Sequence, residues 1–267
     1  MTVDVPMKRL PIANWLLIAV TVIVSFVGFS YKPPIPPLPS DTTDPKQVEK
    51  FMQEVEKRKE YITPLALHPK QFHVWQLITH MFVHADLFHL AGNMIFLFCF
   101  GNAVDAKLGH LAFLGSYFVT GLLGALVMLP LSGGLPMLGA SGAISGIVGI
   151  FLVLYPLNEI ALWDLDYLWL SGGEPWRLSS YWFILFHFVF DLYGTVFMSK
   201  AGIAYACHLT GEIVGAAVTA ILVYRGIIQP DRGEITLLHA LGFFKKSPKR
   251  ARQKPRKAKG PPHDNGR

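Results

Sequence analysis

The chain has 267 residues, of which 52% are hydrophobic and only 16% charged, and its mean hydropathy is +0.38. Soluble domains carry roughly 25% charged residues, so this composition excludes a disordered protein and leaves too little polar surface for an ordinary soluble enzyme; the solvent it fits is lipid. The net charge of +6 lies mostly in the C-terminal tail, and no nucleic-acid partner is expected.

Apolar runs close to the roughly 20 residues that cross a bilayer lie at Ile12 to Phe29, Leu87 to Val104, Leu111 to Pro130, Met137 to Tyr155, Tyr181 to Met198 and Ile203 to Tyr224. They predict an all-α, six-span bundle over 12–224, preceded by a short segment 1–11. Lys8 and Arg9 stand before the first run as they would before a secretory signal, but no small-x-small cleavage site follows, which predicts a retained helix. The long loop 30–83 opens on PPIPPLPS and continues with a mixed-charge stretch, Gln47 to Glu60, expected to form a short amphipathic helix. The loop 156–180 holds Trp163, Tyr167, Trp169 and Trp176 beside Asp164, Asp166 and Glu174, a mixture suited to the membrane interface rather than to a span. Residues 225–267 form a basic tail, expected to be disordered from Lys245 and able to meet anionic lipid headgroups.

An even number of spans puts both termini on one side. Lys8, Arg9, Arg225, Arg232 and the tail make that side the cytoplasm of a multi-pass membrane protein, expected in a bacterial inner membrane. Spans two, four and six then all run from the outer face inward. Near the start of each stands a polar group: HADLFHLAGN with His84, His89 and Asn93, GASGAISG with Ser141, and AYACHLTGEIVG with His208. Such residues are expensive in lipid and are functional candidates.

Ser141 could simply return a hydrogen bond to the preceding turn. Its setting argues otherwise, because Gly139 and Gly142 clear space around it and a helix start favours an oxyanion. Gly142, Gly146 and Gly149 share one face suited to close packing. His208 is the natural general base, and Gly211 and Gly215 share its face, so spans four and six can approach closely. Glu212 shares that face as well but lies a turn deeper, as an orienting third member or as a structural hydrogen-bonding group. His89 and Asn93, four apart, either donate to a developing oxyanion or hold helices together. His84, His89 and His208 suggest a metal site only weakly, since there is no HExxH and no nearby acid on the same face. Cys99 and Cys207 lie in apolar runs and read as core residues, and Cys207 points away from the face of His208.

These motifs resemble those of rhomboid intramembrane serine proteases: GxSG at Gly139 to Gly142, HxxxN at His89 to Asn93 with His84 upstream, and HxxGxxxG at His208, Gly211 and Gly215. The likeness extends over about Ile12 to Tyr224. It implies Ser141 as nucleophile, His208 as base of a dyad without an acid, an oxyanion hole of His89, Asn93 and the Ser141 amide, and no metal or organic cofactor. Transmembrane proteins would be the substrates, cut near helix-breaking residues after a small side chain. Two features depart from the pattern of some bacterial relatives: Ser145 replaces a tyrosine, and the first outer loop lacks a Trp-Arg pair. The competing readings are a transporter and a membrane-helix-binding protein that does not cut. Span five, which carries His187 and Asp191 but no glycine row, is the expected substrate gate.

Overall fold

In lipid a backbone must satisfy its own hydrogen bonds, so long apolar runs close into helices. A computed structural model describes the chain except for residues 6, 31–35, 61–63, 163–175, 199–203, 232 and 245–267 and the side chains of 56–60. Its principal helices are α1 (Ile12–Ser30), α2 (Pro45–Glu60), α3 (Leu87–Leu108), α4 (His110–Leu131), α5 (Ser141–Leu154), α6 (Ser180–Phe197) and α7 (Tyr205–Tyr224). Five of them, α1, α3, α4, α6 and α7, are long and apolar enough to cross a membrane. Helix α2 is the amphipathic helix of the first loop. The architecture is that of a mostly helical membrane bundle.

The fourth predicted span is shorter than its apolar run. Helix α5 has 14 residues, about 21 Å at 1.5 Å per residue, because Met137 to Ala140 are not helical. Met137 pairs with Leu67 as an isolated bridge, the Gly139 amide donates to the His80 carbonyl, and Gly139 has φ +117°. Being short, α5 can sit wholly inside the bundle. Ile147, Phe151 and Leu154 are buried with Leu97, Phe100, Phe113 and Tyr117 from α3 and α4.

Backbone contact joins α5 to α7. A Cβ on Gly211 would strike the Gly142 carbonyl, one on Gly215 the Gly146 carbonyl, and one on Gly149 the Glu212 carbonyl. The two glycine rows read from the sequence therefore interlock. On the other side of the bundle α1 grips α3 through polar groups. Asn14 Nδ2 donates to the Leu97 carbonyl (2.9 Å) and to Asn102 Oδ1 (2.8 Å), and the Asn14 amide donates to Asp105 Oδ2 (3.1 Å). Helix α3 widens into a π turn at Leu97–Gly101, the segment whose first carbonyl accepts from Asn14.

A small antiparallel sheet, unforeseen in the sequence, orders β1 (Thr2–Val3), β2 (Glu159–Leu162) and β3 (Trp176–Ser179), with Thr2 opposite Ala161 and Ile160 opposite Leu178. Trp176 stands on β3, while Trp163, Tyr167 and Trp169 lie outside the described residues. Lys8 Nζ pairs with Asp231 at 2.6 Å, and Lys107 Nζ reaches both Asp231 (3.1 Å) and Glu234. The Lys8 ammonium, seconded by Lys107, holds the Asp231 carboxyl below its usual range. These contacts bring the N-terminal segment and the chain after α7 to one end of the bundle. Ahead of Lys245 the chain folds back, with a short helix Leu237–Ala240 and with Ile228, Leu237 and Phe244 against the core. The basic residues from 245 onward lie outside the described residues.

Candidate active site

Ser141 is the first residue of α5, after an Ala140 cap whose own side chain makes no capping bond. The amides of Ser141, Gly142 and Ala143 therefore have no partner within the helix and point out of its positive end. Ser141 therefore follows a non-helical segment, Met137 to Ala140, rather than the helical turn that the apolar run predicts. That segment is clamped from two sides: Gly139 is bonded to His80, and the Ala140 amide donates to His84 Nε2 at 3.4 Å. The opposite nitrogen, His84 Nδ1, lies 2.9 Å from Ser25 Oγ, which itself donates to the Phe82 carbonyl. This requires the Nδ1–H tautomer. Burial, followed by the neighbouring His89, pushes the His84 imidazole down to about 3, so it stays neutral in its clamp.

His208 stands in the first turn of α7, and its Nε2 lies 2.8 Å from Ser141 Oγ. The glycine interlock sets this distance, since it lets two helix axes close until a short hydroxyl meets an imidazole. Cys207, next in the chain, packs its sulfur against Gly142 and Gly124 and fills the seam with α4. On the far side of the imidazole, His208 Nδ1 lies 3.2 Å from Asp191 Oδ1, on α6. Asp191 is 2% exposed. The motif resemblance implies no acid in this place, and Asp191 is expected on a gating helix. Glu212, the acid that shares the His208 face in the sequence, touches His187 instead, with Oε2 3.4 Å from Nδ1.

His89 and Asn93 lie in the first two turns of α3, where Asp86 caps the helix by accepting from the His89 amide at 2.8 Å. The His89 ring fits against Gly139, where a Cβ would come within 2.8 Å of it. Only glycine combines that clearance with the positive φ. Asn93 Nδ2 spends one hydrogen on the His89 carbonyl at 3.0 Å, leaving its second N–H for another acceptor. Both side chains line a cavity of about 590 Å³ with Ser141, Ser145, His187 and His208. All four predicted polar residues, Ser141, His208, His89 and Asn93, thus surround one open space. Ser145 also faces it.

His84 does not converge with His89 and His208 on a metal geometry, because its Nε2 is engaged by Ala140. A different set does converge: ligand atoms of His187, Asp191 and Glu212 all lie within 4.8 Å of one another.

A family model described as the Rhomboid domain matches residues 71–225. The chain belongs to the rhomboid family. Among curated relatives it is 26% identical to "Rhomboid-like protease 3" of Toxoplasma gondii, over 53% of this chain and 54% of that protein. It is 31% identical to "Rhomboid-like protein 11, chloroplastic" of Arabidopsis thaliana, over 57% and 54% respectively. Against "Rhomboid protease GlpG" of Salmonella choleraesuis the identity is 28%, over 57% and 49%. The chain spans about half the length of these relatives. The matched region runs from the clamp loop through α7 and holds every rhomboid motif residue described above.

Proposed function

We propose that this rhomboid is an intramembrane serine endopeptidase that hydrolyses a peptide bond in or near a transmembrane segment of another membrane protein. The observation that carries the reading is the 2.8 Å approach of His208 Nε2 to Ser141 Oγ at the head of a buried helix. His208 takes the serine proton as Oγ attacks the carbonyl carbon, and then gives that proton to the departing amine. Water, deprotonated by the same imidazole, releases the acyl group from Ser141. The oxyanion of each tetrahedral intermediate is met by the Ser141 amide, the free Asn93 N–H and the His89 ring. Asp191 accepts from His208 Nδ1, which leaves Nε2 as the basic nitrogen, and offsets the charge of the imidazolium.

In this reading residues 12–224 form the protease domain, 1–11 and 225–267 flank it, and the cavity carries water to the dyad. The membrane is a bacterial plasma membrane with both termini cytoplasmic. Lys8, Arg9 and Arg225 support the orientation, and likeness to the Salmonella proteins supports the membrane. Partners are transmembrane substrates and the bilayer, with anionic headgroups at the basic tail. The test is cleavage of a model transmembrane substrate in proteoliposomes. Ser141→Ala and His208→Ala should each abolish it and the double variant should be no worse, because the pair acts as one unit. Cleavage persisting in Ser141→Ala would overturn the mechanism.

A further inference from the structure

Behind the imidazole lies an unusual concentration of charge for a membrane interior. His187 and Asp191 are four residues apart on one face of α6, and Glu212 faces them from α7. Asp191 and Glu212 are 2% and 3% exposed. Two carboxylates are thus buried together with one imidazole between them, and Asp191 Oδ2 has no hydrogen-bond partner among the described residues. Burying two anions is costly unless positive charge compensates them. His187 between the carboxylates and His208 against Asp191 Oδ1 supply it only when both are protonated, whereas a dication supplies both units with the imidazoles neutral.

We propose that His187, Asp191 and Glu212 bind one divalent transition-metal ion of the zinc class. His187 Nδ1 lies 3.4 Å from Asp191 Oδ2 and 3.4 Å from Glu212 Oε2. A tetrahedral ion with bonds of about 2.0–2.1 Å places neighbouring donor atoms about 3.4 Å apart, so both edges already have the separation that zinc needs. One nitrogen and two carboxylate oxygens around a dication with neutral imidazole sum to zero charge, which removes the burial penalty. The donor set selects the ion: magnesium prefers all-oxygen octahedra with several waters, and copper(I) prefers sulfur. His187 also lines the cavity that holds Ser141, which gives the ion an aqueous entry and leaves its fourth position to water.

The ion acts on the catalytic machinery through Asp191. One oxygen of that carboxylate would hold the metal while the other faces His208 Nδ1 at 3.2 Å. Electron density drawn to the metal makes the carboxylate a weaker partner for an imidazolium, and the metal ties α6 to α7. Both effects inhibit. The inhibition, unlike the binding, rests on the serine protease reading.

The purified full chain in detergent, titrated with Co²⁺ as a spectroscopic probe, should develop a tetrahedral visible band that saturates at one equivalent and is displaced by Zn²⁺. Glu212→Gln, nearly isosteric, and His187→Ala, at the cavity wall, should each weaken binding by at least about tenfold. Thermal unfolding without metal verifies that both variants fold. In the activity arm Zn²⁺ should lower substrate cleavage by at least about tenfold, a chelator should restore it, and Glu212→Gln should need at least about tenfold more Zn²⁺ for the same inhibition. Absence of the Co²⁺ band, or a band equally strong in both folded variants, overturns the proposal. So does equal Zn²⁺ inhibition of Glu212→Gln, which would put the ion on His84, His89 or His208. A saturating band with no cleavage under any condition upholds the metal site and overturns the protease reading instead.

Discussion

The two sides of His208 are built differently. Toward α5 the contact is backbone on backbone, with Gly149, Gly211 and Gly215 seated against the carbonyls of Glu212, Gly142 and Gly146. Toward α6 the contact is made by side chains, Asp191 with His208, His187 with Glu212 and Phe190 with Tyr205, and the outer face of that helix shows Phe186, Val189, Tyr193 and Phe197 to the surroundings. A glycine seam has one way to fit, because any displacement drives a carbonyl into an α-carbon. A side-chain seam can part and re-form. The Ser141–His208 distance thus depends on the rigid seam, and under the proposed protease reading the space for a substrate borders the yielding one.

Gly215→Val should break the rigid seam outright. Its side chain would overlap the Gly146 carbonyl, and unfolding in detergent should show a loss of about 3 kcal/mol or more, with activity gone. Phe186→Ala on the exposed face of α6 should move stability by less than about 0.5 kcal/mol. Equal losses in the two variants would erase the distinction.

Asn93→Ala should lower kcat by about 10² to 10³ with the fold retained, since its free N–H is assigned to the oxyanion. A folded variant of unchanged kcat would return Asn93 to helix packing. Asp191→Asn should lower kcat by about 10², with KM little changed, because an amide can hold the wrong tautomer of His208.

The yielding seam can be tested by locking it. The Phe96 and Phe183 rings lie 5.8 Å apart between α3 and α6, and a Phe96→Cys, Phe183→Cys cross-link should block a membrane-embedded substrate while a small fluorophosphonate still reaches Ser141. Unimpaired substrate cleavage would rule out entry between those helices.

The last effect concerns the clamp. His84 is held near 3, below the ordinary histidine value of 6.5. Between these values the unfolded chain binds the proton and the folded chain does not, so the clamp's contribution is complete above pH 6.5. It is lost as pH falls, at up to about 1.4 kcal/mol per pH unit. His84→Gln should flatten the dependence of Tm on pH between 6.5 and 5; an unchanged slope would remove His84 from that role.

The same division explains what the sequence reveals. Ser141, His208 and the glycine rows are legible because each lies at a helical spacing within its own segment, and close packing follows from glycine at every turn. Asp191 escaped because it stands on a different helix, 17 residues from His208, and nothing in a bulky apolar span fixes which way its polar residue turns. The apolar run overstates the length of α5 because Met137 to Ala140 are as apolar as a helix requires, and the distant partners Leu67 and His80 hold Met137 and Gly139 out of it. The sheet was hidden by β1, two residues long, too short to carry a pattern of its own.

If the rigid seam activates one hydroxyl, covalent labelling reads that directly. A fluorophosphonate incubated with the folded protein should modify Ser141 alone at one equivalent, with labelling abolished in Ser141→Ala and reduced by about 10² or more in His208→Ala. Absence of label on Ser141, or equal labelling in folded His208→Ala, would contradict the account.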